Sequence, residues 1–255
     1  MANLKIQSLS LQIEDKILCR DLSVQIGENE RWGLLGKNGA GKTTLLHALI
    51  GQRHANQGSI QLDGKSIYDL KQRELAGKVG ILFQQGLEAL PTTVFETVML
   101  GRHPHTQSLL WDDEKDIDIA KSALAAFDLD QLEERAVDTL SGGELQRLAL
   151  ALLLAQAPQL FLLDEPSNHL DVAFQVKLLS VLSSKVAETS ASLIMATHDI
   201  NLAVRFCENI ILLLEDGESL VGTSVDVLTE ENLSRAYGCP IKSVSDGAHR
   251  LFYPA

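Results

Sequence analysis

Sulfur, aromatic rings and positive charge are all scarce in this chain. Its 255 residues include 3 cysteines, and aromatic side chains make up 5%. Cys19, Cys207 and Cys239 are odd in number and widely spaced, so they offer neither a disulfide framework nor metal-ligand spacing. Buried reduced thiols of a cytosolic protein are the expected state. Against 34 Asp and Glu stand 22 Lys and Arg, a net charge of −12. Such a surface repels phosphodiester backbones and anionic membranes, and no local basic patch offsets it, which argues against direct nucleic-acid binding. Long apolar runs are missing too. The most apolar region, Leu148 to Leu163, is broken by Gln156, Pro158 and Gln159 and runs into Asp164-Glu165, too short to span a bilayer. Met1 to Gln7 lacks the apolar core of a signal peptide. Any membrane role must therefore pass through a partner. No internal repeat, coiled-coil heptad or low-complexity linker is visible. With 45% hydrophobic and 22% charged residues, the composition is that of a globular chain with ample core: one large domain or two closely joined ones.

What the chain does have is Gly36-Lys37-Asn38-Gly39-Ala40-Gly41-Lys42-Thr43, followed by Thr44, which fits G-x-x-x-x-G-K-[ST]. A flexible glycine-rich turn could carry the same letters, so the flanks decide. Arg31 to Leu35 has the character of a buried strand, and Thr44 to Ile50 has helical spacing that stops at Gly51. That strand–loop–helix setting is what a P-loop requires. Its glycines let backbone N–H groups turn around phosphate oxygens, and the helix N-terminus adds partial positive charge. Lys42 is placed to reach the β- and γ-phosphates and the Thr43 hydroxyl to ligate Mg²⁺.

Residues 4 to 26 nearly alternate in polarity, and Ile60-Gln61-Leu62 before Asp63-Gly64 adds a strand entering a turn, so a small antiparallel sheet is expected beside the P-loop. Val79 to Phe83, Leu160 to Leu163, Leu193 to Ala196 and Ile210 to Leu214 read as core strands. A helix over Val172 to Glu188 makes a β-α-β unit and hence a mostly parallel sheet. From Gly86 to Pro158 the character is helical, with a helix over Thr93 to Leu100 and another starting at Trp111-Asp112-Asp113-Glu114-Lys115-Asp116. The acids there suit the helix dipole; lacking Ca²⁺-loop spacing and its central glycine, they are expected to form a solvated face. Asp216-Gly217 marks a turn, and a helix over Glu230 to Tyr237 completes the pattern.

A second cluster of chemistry follows the strand at Leu160 to Leu163, which ends in Asp164-Glu165. Acids at strand ends are common, but in a P-loop ATPase the Asp here holds Mg²⁺ through its water shell. Glu165 is then placed to polarise the water that attacks the γ-phosphate. Upstream, Ser141 and Glu144 form a capping box, which alone would indicate a well-capped helix. The adjacent Gly142 and Gly143 are more than a cap needs, and they suggest a second phosphate-facing surface.

Taken together, these segments resemble an ATP-binding cassette (ABC) nucleotide-binding domain over nearly the full chain. Gly36 to Thr43 resembles Walker A, Gln84 the glutamine loop, Leu140 to Arg147 the ABC signature and Leu160 to Glu165 Walker B with its catalytic Glu. Ser167-Asn168-His169-Leu170-Asp171 resembles the D-loop, and His198 the switch histidine. The resemblance implies an α/β fold: a P-loop NTPase core with a mostly parallel sheet, a small antiparallel β part and an inserted helical part. Residues 1–255 would form one cassette, with 1–85 and 159–255 as ATPase core and 86–158 as the helical part that carries the signature. It also implies a dimeric ATPase using ATP and Mg²⁺. Lys42 and Thr43 would bind phosphates and Mg²⁺, Gln84 would sense metal and attacking water, and Asp164 would support Mg²⁺. Glu165 would be the general base and His198 a γ-phosphate contact. Ser141, Gly142 and Gly143 would act on the nucleotide of the opposite subunit, with Asp171 at the interface. One departure stands out. The family usually places an aromatic ring where this chain has Ile13. Apolar contact in place of stacking gives up on the order of 1 kcal/mol, so weak preference for ATP over GTP is expected.

Gly101-Arg102-His103-Pro104-His105 is similar to a loop frequent in importers of cobalamin, ferric siderophores and haem, and the tail Val227 to Leu233 is also similar to that group. Two histidines flanking a proline make a poor metal site. The resemblance implies an importer ATPase on the cytoplasmic face of the membrane. Its partners would be a second copy of itself, two polytopic permease subunits and, indirectly, a periplasmic or extracellular substrate-binding protein. A soluble ABC ATPase acting on ribosomes or DNA is the alternative from another class, though such proteins usually carry tandem cassettes, long coiled coils or basic arms. An exporter subunit is a third, disfavoured by the Gly101 to His105 loop.

Overall fold

A computed structural model describes residues 3–83, 87, 91–106, 114–168, 170–247 and 249–255. Gln84, His169 and the helix start expected at Trp111 to Asp113 lie outside the described residues.

The first strand, β1 (Leu4–Ile13), buries Leu4, Ile6, Leu9 and Leu11. The step from Ile6 to Leu9 breaks strict alternation, and a bulge absorbs it. Ser8 adopts a left-handed φ of 46°, and the register against β2 (Lys16–Ile26) shifts between Ile6 and Leu9. After β3 (Arg31–Leu35) and α1 (Lys42–Leu49), β4 (Gln57–Leu62) pairs with the free side of β1. With β5 (Lys65–Ser66) it completes a four-stranded antiparallel sheet of order β2-β1-β4-β5.

Following α2 (Gln72–Lys78), β6 (Val79–Leu82) enters a second sheet with β3, β7 (Leu160–Asp164), β8 (Ser192–Ala196), β9 (Asn209–Leu213) and β10 (Ser219–Thr223). This six-stranded sheet runs β10-β9-β3-β8-β7-β6, parallel throughout except for β10 at one edge. Every residue of β7 and β8 is buried, which explains why their sequences are unbroken apolar runs. Leu45, Leu46 and Leu49 of α1 join one core with Leu4 and Ile6 of the first sheet and Leu162 and Ile194 of the second, so α1 is sandwiched between the two sheets. The P-loop NTPase architecture with its small antiparallel sheet is thus present. Its consequence is positional: β3, β8 and β7 are neighbours, and the loops leaving their C-terminal ends converge, where open α/β sheets bind ligands.

Between β6 and β7 the chain forms α3 (Val94–Met99), α4 (Glu114–Ala126) and α5 (Gly142–Gln156). Thr93 caps α3 in a capping box with Glu96. The acidic start of α4 departs from the expected solvated face. Glu114 is exposed, but Asp116 is buried at 7% exposure and accepts from Arg102 Nε at 2.8 Å. Arg102 also donates to the Ala155 carbonyl at 2.6 Å, so the Gly101 to His105 loop is bolted to α4 and α5. A partner 14 positions away, across a loop, desolvates the acid; local charge pattern carries no trace of it.

The rest comprises α6 (Val172–Thr189), which closes the β-α-β unit, α7 (Ile200–Phe206), α8 (Ser224–Val227) and α9 (Glu230–Tyr237). A hairpin of β11 (Ile241–Asp246) and β12 (His249–Pro254), absent from the sequence expectation, follows α9. Its Asp246-Gly247 turn between two short alternating runs was the available signal.

Candidate nucleotide site

The loop from Gly36 to Gly41 leaves the end of β3 and doubles back into α1. Gly36 has φ 149°, and a Cβ there would meet the Leu213 carbonyl oxygen at 2.9 Å, so the chain passes β9 too closely for any side chain. Gly41, at φ 106°, is the N-cap of α1 and brings no capping side chain. The first N–H groups of α1 therefore lack an internal acceptor and face the loop, as an anion site needs.

Lys42, the first residue of α1, is buried at 7% exposure. Its Nζ donates to the Gly36 carbonyl at 2.9 Å and stands 3.7 Å from Glu165 Oε1. Desolvation pushes its pKa down, while Glu165 and Asp164 pull it back up. Asp164 ends β7, 1% exposed, and neither carboxylate oxygen has a hydrogen-bond partner. Burial drives its pKa up. The Thr43 hydroxyl lies close enough to counter that partly, without a hydrogen bond of normal geometry. An unpaired buried carboxylate is costly unless something positive shares its site, and a carboxylate beside a threonine hydroxyl is the donor set that holds Mg²⁺ in P-loop enzymes. The residues present fit the ion.

Glu165 takes a left-handed φ of 51°, uncommon for a residue with a side chain and a mark of backbone held for a purpose. Its N–H donates to the Ala196 carbonyl at 2.9 Å, tying β7 to the end of β8. Its Oε2 lies 2.8 Å from His198 Nδ1, and the carboxylate is 6% exposed whereas the imidazole is open to solvent. Lys42, Asp164, Glu165 and His198 thus come together from three adjacent strand ends. Lys42, Asp164 and Glu165 border a cleft of about 480 Å³ lined also by Asn38, Gly39, Thr43, Thr44, Ile13 and Leu18; His198 reaches it only through Glu165. Ile13 stands in that cleft and offers an aliphatic wall where the family pattern has a ring.

Other expected residues lie elsewhere. Ser141, at the N-terminus of α5, is exposed and engaged locally: its Oγ accepts from the Glu144 N–H at 3.3 Å, and Glu144 Oε2 accepts from the Ser141 N–H at 2.7 Å. Those bonds, with Arg135 beside them, hold the Glu144 carboxyl below its usual range. Gly142 is exposed, and a Cβ there would meet nothing within 4 Å, so nothing in the chain itself calls for glycine. Ser141, Gly142 and Gly143 do not line the cleft. Asp171 is exposed and caps α6, its Oδ1 accepting from the Phe174 N–H at 2.8 Å. Gln84 is outside the described residues.

Two side chains to which the sequence reading gave no role of their own also matter. Lys16 Nζ donates to the Gly39 carbonyl at 2.7 Å and pins the β1–β2 turn onto the P-loop. Gln146, one turn into α5, donates to the Pro166 carbonyl at 3.3 Å, linking the signature helix to the segment after Glu165. Gln146 falls within the Leu140 to Arg147 segment, but both contacts join residues about 20 positions apart, so no local spacing could have found them.

Across known proteins, the ABC transporter family profile matches residues 19–168. The chain belongs to the ABC transporter family. It is 32% identical to the iron(3+)-hydroxamate import ATP-binding protein FhuC of Bacillus subtilis (strain 168), covering 96% of this chain and 91% of that protein. To the hemin import ATP-binding protein HmuV of Burkholderia ambifaria it is 37% identical, covering 94% and 95%. The ferric enterobactin transport ATP-binding protein FepC of Escherichia coli (strain K12) is 32% identical over 96% of this chain. Among solved structures, a chain from a transporter described as metal-chelate type, in an inward-facing conformation, superposes with TM-score 0.84 at 26% identity, covering 100% of this chain and 98% of that one. A dimeric ATP-binding cassette, MJ0796, in a post-hydrolysis state with ADP and Pi superposes with TM-score 0.75 at 28% identity, covering 87% and 98%. This ABC protein is accordingly an ATP-binding, ATP-hydrolysing subunit of a transport system. Among the described residues no helix is long and apolar enough to cross a membrane.

Proposed function

We propose that this ABC ATPase drives import of a metal chelate, a ferric siderophore, haem or cobalamin. Two copies would dock on two polytopic permease subunits at the cytoplasmic face of the membrane, with a substrate-binding protein on the far side. Relatives named for the import of iron hydroxamate, hemin and ferric enterobactin, each matched over nearly its full length, support the chelate class. The cassette is residues 1–255, with the core in 1–85 and 159–255 and the helical part in 86–158. The observation that carries the ATPase chemistry is Glu165: a buried carboxylate on strained backbone, held between Lys42 and His198.

Gly36 to Thr44 receives the phosphates through backbone N–H groups at the start of α1. Lys42 then leaves the Gly36 carbonyl and donates to the β- and γ-phosphates. Thr43 and Asp164 would hold Mg²⁺, which would supply positive charge against those same phosphates, and Gln84 is assigned to sense it. As Lys42 and His198 turn to the γ-phosphate, Glu165 loses both partners and its carboxylate is free to take the proton of the attacking water. Ser141, Gly142 and Gly143 of a second copy close over the γ-phosphate, with Asp171 at the seam. This assigns the open glycine at 142 a partner outside the chain. ATP closes the pair, closure moves the permease, and hydrolysis resets it.

Uptake is the test. In a strain lacking this chain, import of one among cobalamin, haem and several ferric siderophores should be lost, then restored by the wild-type chain but not by Glu165→Gln. Undiminished uptake of all of them in the deletion strain would contradict the import assignment.

A further inference from the structure

Gln146 is a polar side chain buried at 7% exposure on α5, where Leu148, Ala149 and Leu150 belong to the core. Taking an amide out of water costs free energy unless its groups find partners. An apolar side chain of similar volume would pack there without that cost, so the amide calls for a reason. Its Nε2 donates to the Pro166 carbonyl at 3.3 Å, and Pro166 is itself buried. That carbonyl belongs to the residue directly after Glu165.

Glu165 needs support from its surroundings. Its φ of 51° is left-handed, and backbone of that kind persists only where neighbouring structure over-determines it. Three supports are near at hand. The Glu165 N–H donates to the Ala196 carbonyl at 2.9 Å, and the Asn168 N–H donates to the Glu165 carbonyl at 3.1 Å. Gln175 Nε2, on α6, donates to the Ser167 and Leu170 carbonyls at 3.2 and 3.1 Å. Gln146 adds a fourth support, from α5. The Pro166 ring fixes its own φ, so a single torsion separates the held carbonyl from the Glu165–Pro166 peptide. Holding the one limits rotation of the other, and with it the direction of the carboxylate that faces Lys42 and His198.

We propose that Gln146 is a positioning residue for Glu165: by holding the Pro166 carbonyl, its amide ties the aim of the base to the place of α5. That helix starts at the Ser141 to Gly143 segment, so on the proposed dimer a shift of α5 towards the partner's nucleotide would reach the base of its own subunit through this bond. This role rests on Glu165 acting as the base in ATP hydrolysis.

The test is Gln146→Met in the full chain, made in the wild-type and in the Glu165→Gln background. Methionine keeps the length of the side chain but cannot donate. In the wild-type background kcat should fall roughly 10- to 100-fold, which is what displacing a reacting group by up to about 1 Å costs. Kd of a non-hydrolysable ATP analogue with magnesium should stay within about twofold, because the Gly36 to Thr43 cradle is untouched. In the Glu165→Gln background the residual single-turnover rate should not fall further, since an absent base cannot be misplaced. An unchanged kcat overturns the proposal, and so does an equal loss in both backgrounds or a Kd that weakens as much as kcat falls. Gln146→Glu covers a Met variant that does not fold. A protonated acid can donate to the Pro166 carbonyl and an ionised one cannot, so kcat relative to wild type should climb as pH is lowered from about 8.5 to about 6. A flat ratio overturns the proposal as well. Glu165→Gln that hydrolyses ATP at the wild-type rate would instead strike the assignment of the base, so the two failures are distinguishable.

Discussion

Glu165→Gln should stop ATP turnover, by roughly 10²- to 10⁴-fold, while ATP stays bound. The amide keeps the shape of the carboxylate and can still bond His198 Nδ1, now at 2.8 Å from Oε2, so the strand end should hold its form. What it cannot do is accept a proton from water. Phosphate binding depends on other groups, the N-terminus of α1 and Lys42, so affinity should survive. Replacing the buried charge removes one of the carboxylates beside Lys42, whose depressed pKa reflects mainly its burial; an ammonium with fewer internal anions is freer to turn to the nucleotide. The variant should therefore accumulate as an ATP-bound dimer on size exclusion. Measured single-turnover hydrolysis near the wild-type rate would remove Glu165 from the role of base.

The second large effect is a pair of opposite signs in one substitution. Asp164→Asn should lower magnesium-dependent turnover by about 100-fold or more, since a carboxylate that holds the ion is worth several kcal/mol at the transition state. The same change should raise the stability of the nucleotide-free chain by about 1–3 kcal/mol, the range found when unpaired buried polar or charged groups are relieved. The sign follows from the pKa. Burial raises the Asp164 carboxyl above its unfolded value, so the folded chain prefers the neutral acid. Its favourable contribution is complete below the unfolded pKa and is lost as pH rises through the raised folded one. Melting curves of the two proteins should therefore converge below about pH 4 and separate as pH rises, with the Asn variant the more stable. A less stable Asn variant at neutral pH would mean that Asp164 is paired in the free state after all.

Much of this site was legible in the sequence because its chemistry is local. Gly36 to Thr43 and Leu160 to Glu165 are contiguous, and a parallel strand buried on both faces announces itself as an apolar run. β-α-β logic makes the sheet mostly parallel, whereas the order that sets β3 beside β8 and β7 comes from the structure. What escaped is whatever depends on a distant partner. Asp116 looks like any other acid in a first helical turn until Arg102 is packed against it. Lys16 reaches the P-loop only because the β1–β2 turn folds over it. The broken alternation in β1 is resolved by a single backbone angle at Ser8, which no side-chain pattern encodes.

The geometry also changes the standing of the cradle. Lys42, Asp164 and Glu165 line one side of the cleft, with His198 on Glu165, and Ser141 to Gly143 of the same chain stay outside it at the start of α5. On the proposed function, the cradle is half a site whose other wall would belong to a second copy. Turnover per subunit, followed on dilution while sedimentation reports the monomer fraction, tests this most directly. Specific activity should fall in step with loss of the ATP-bound dimer; activity per subunit that stays constant where the chain is monomeric would contradict the shared site.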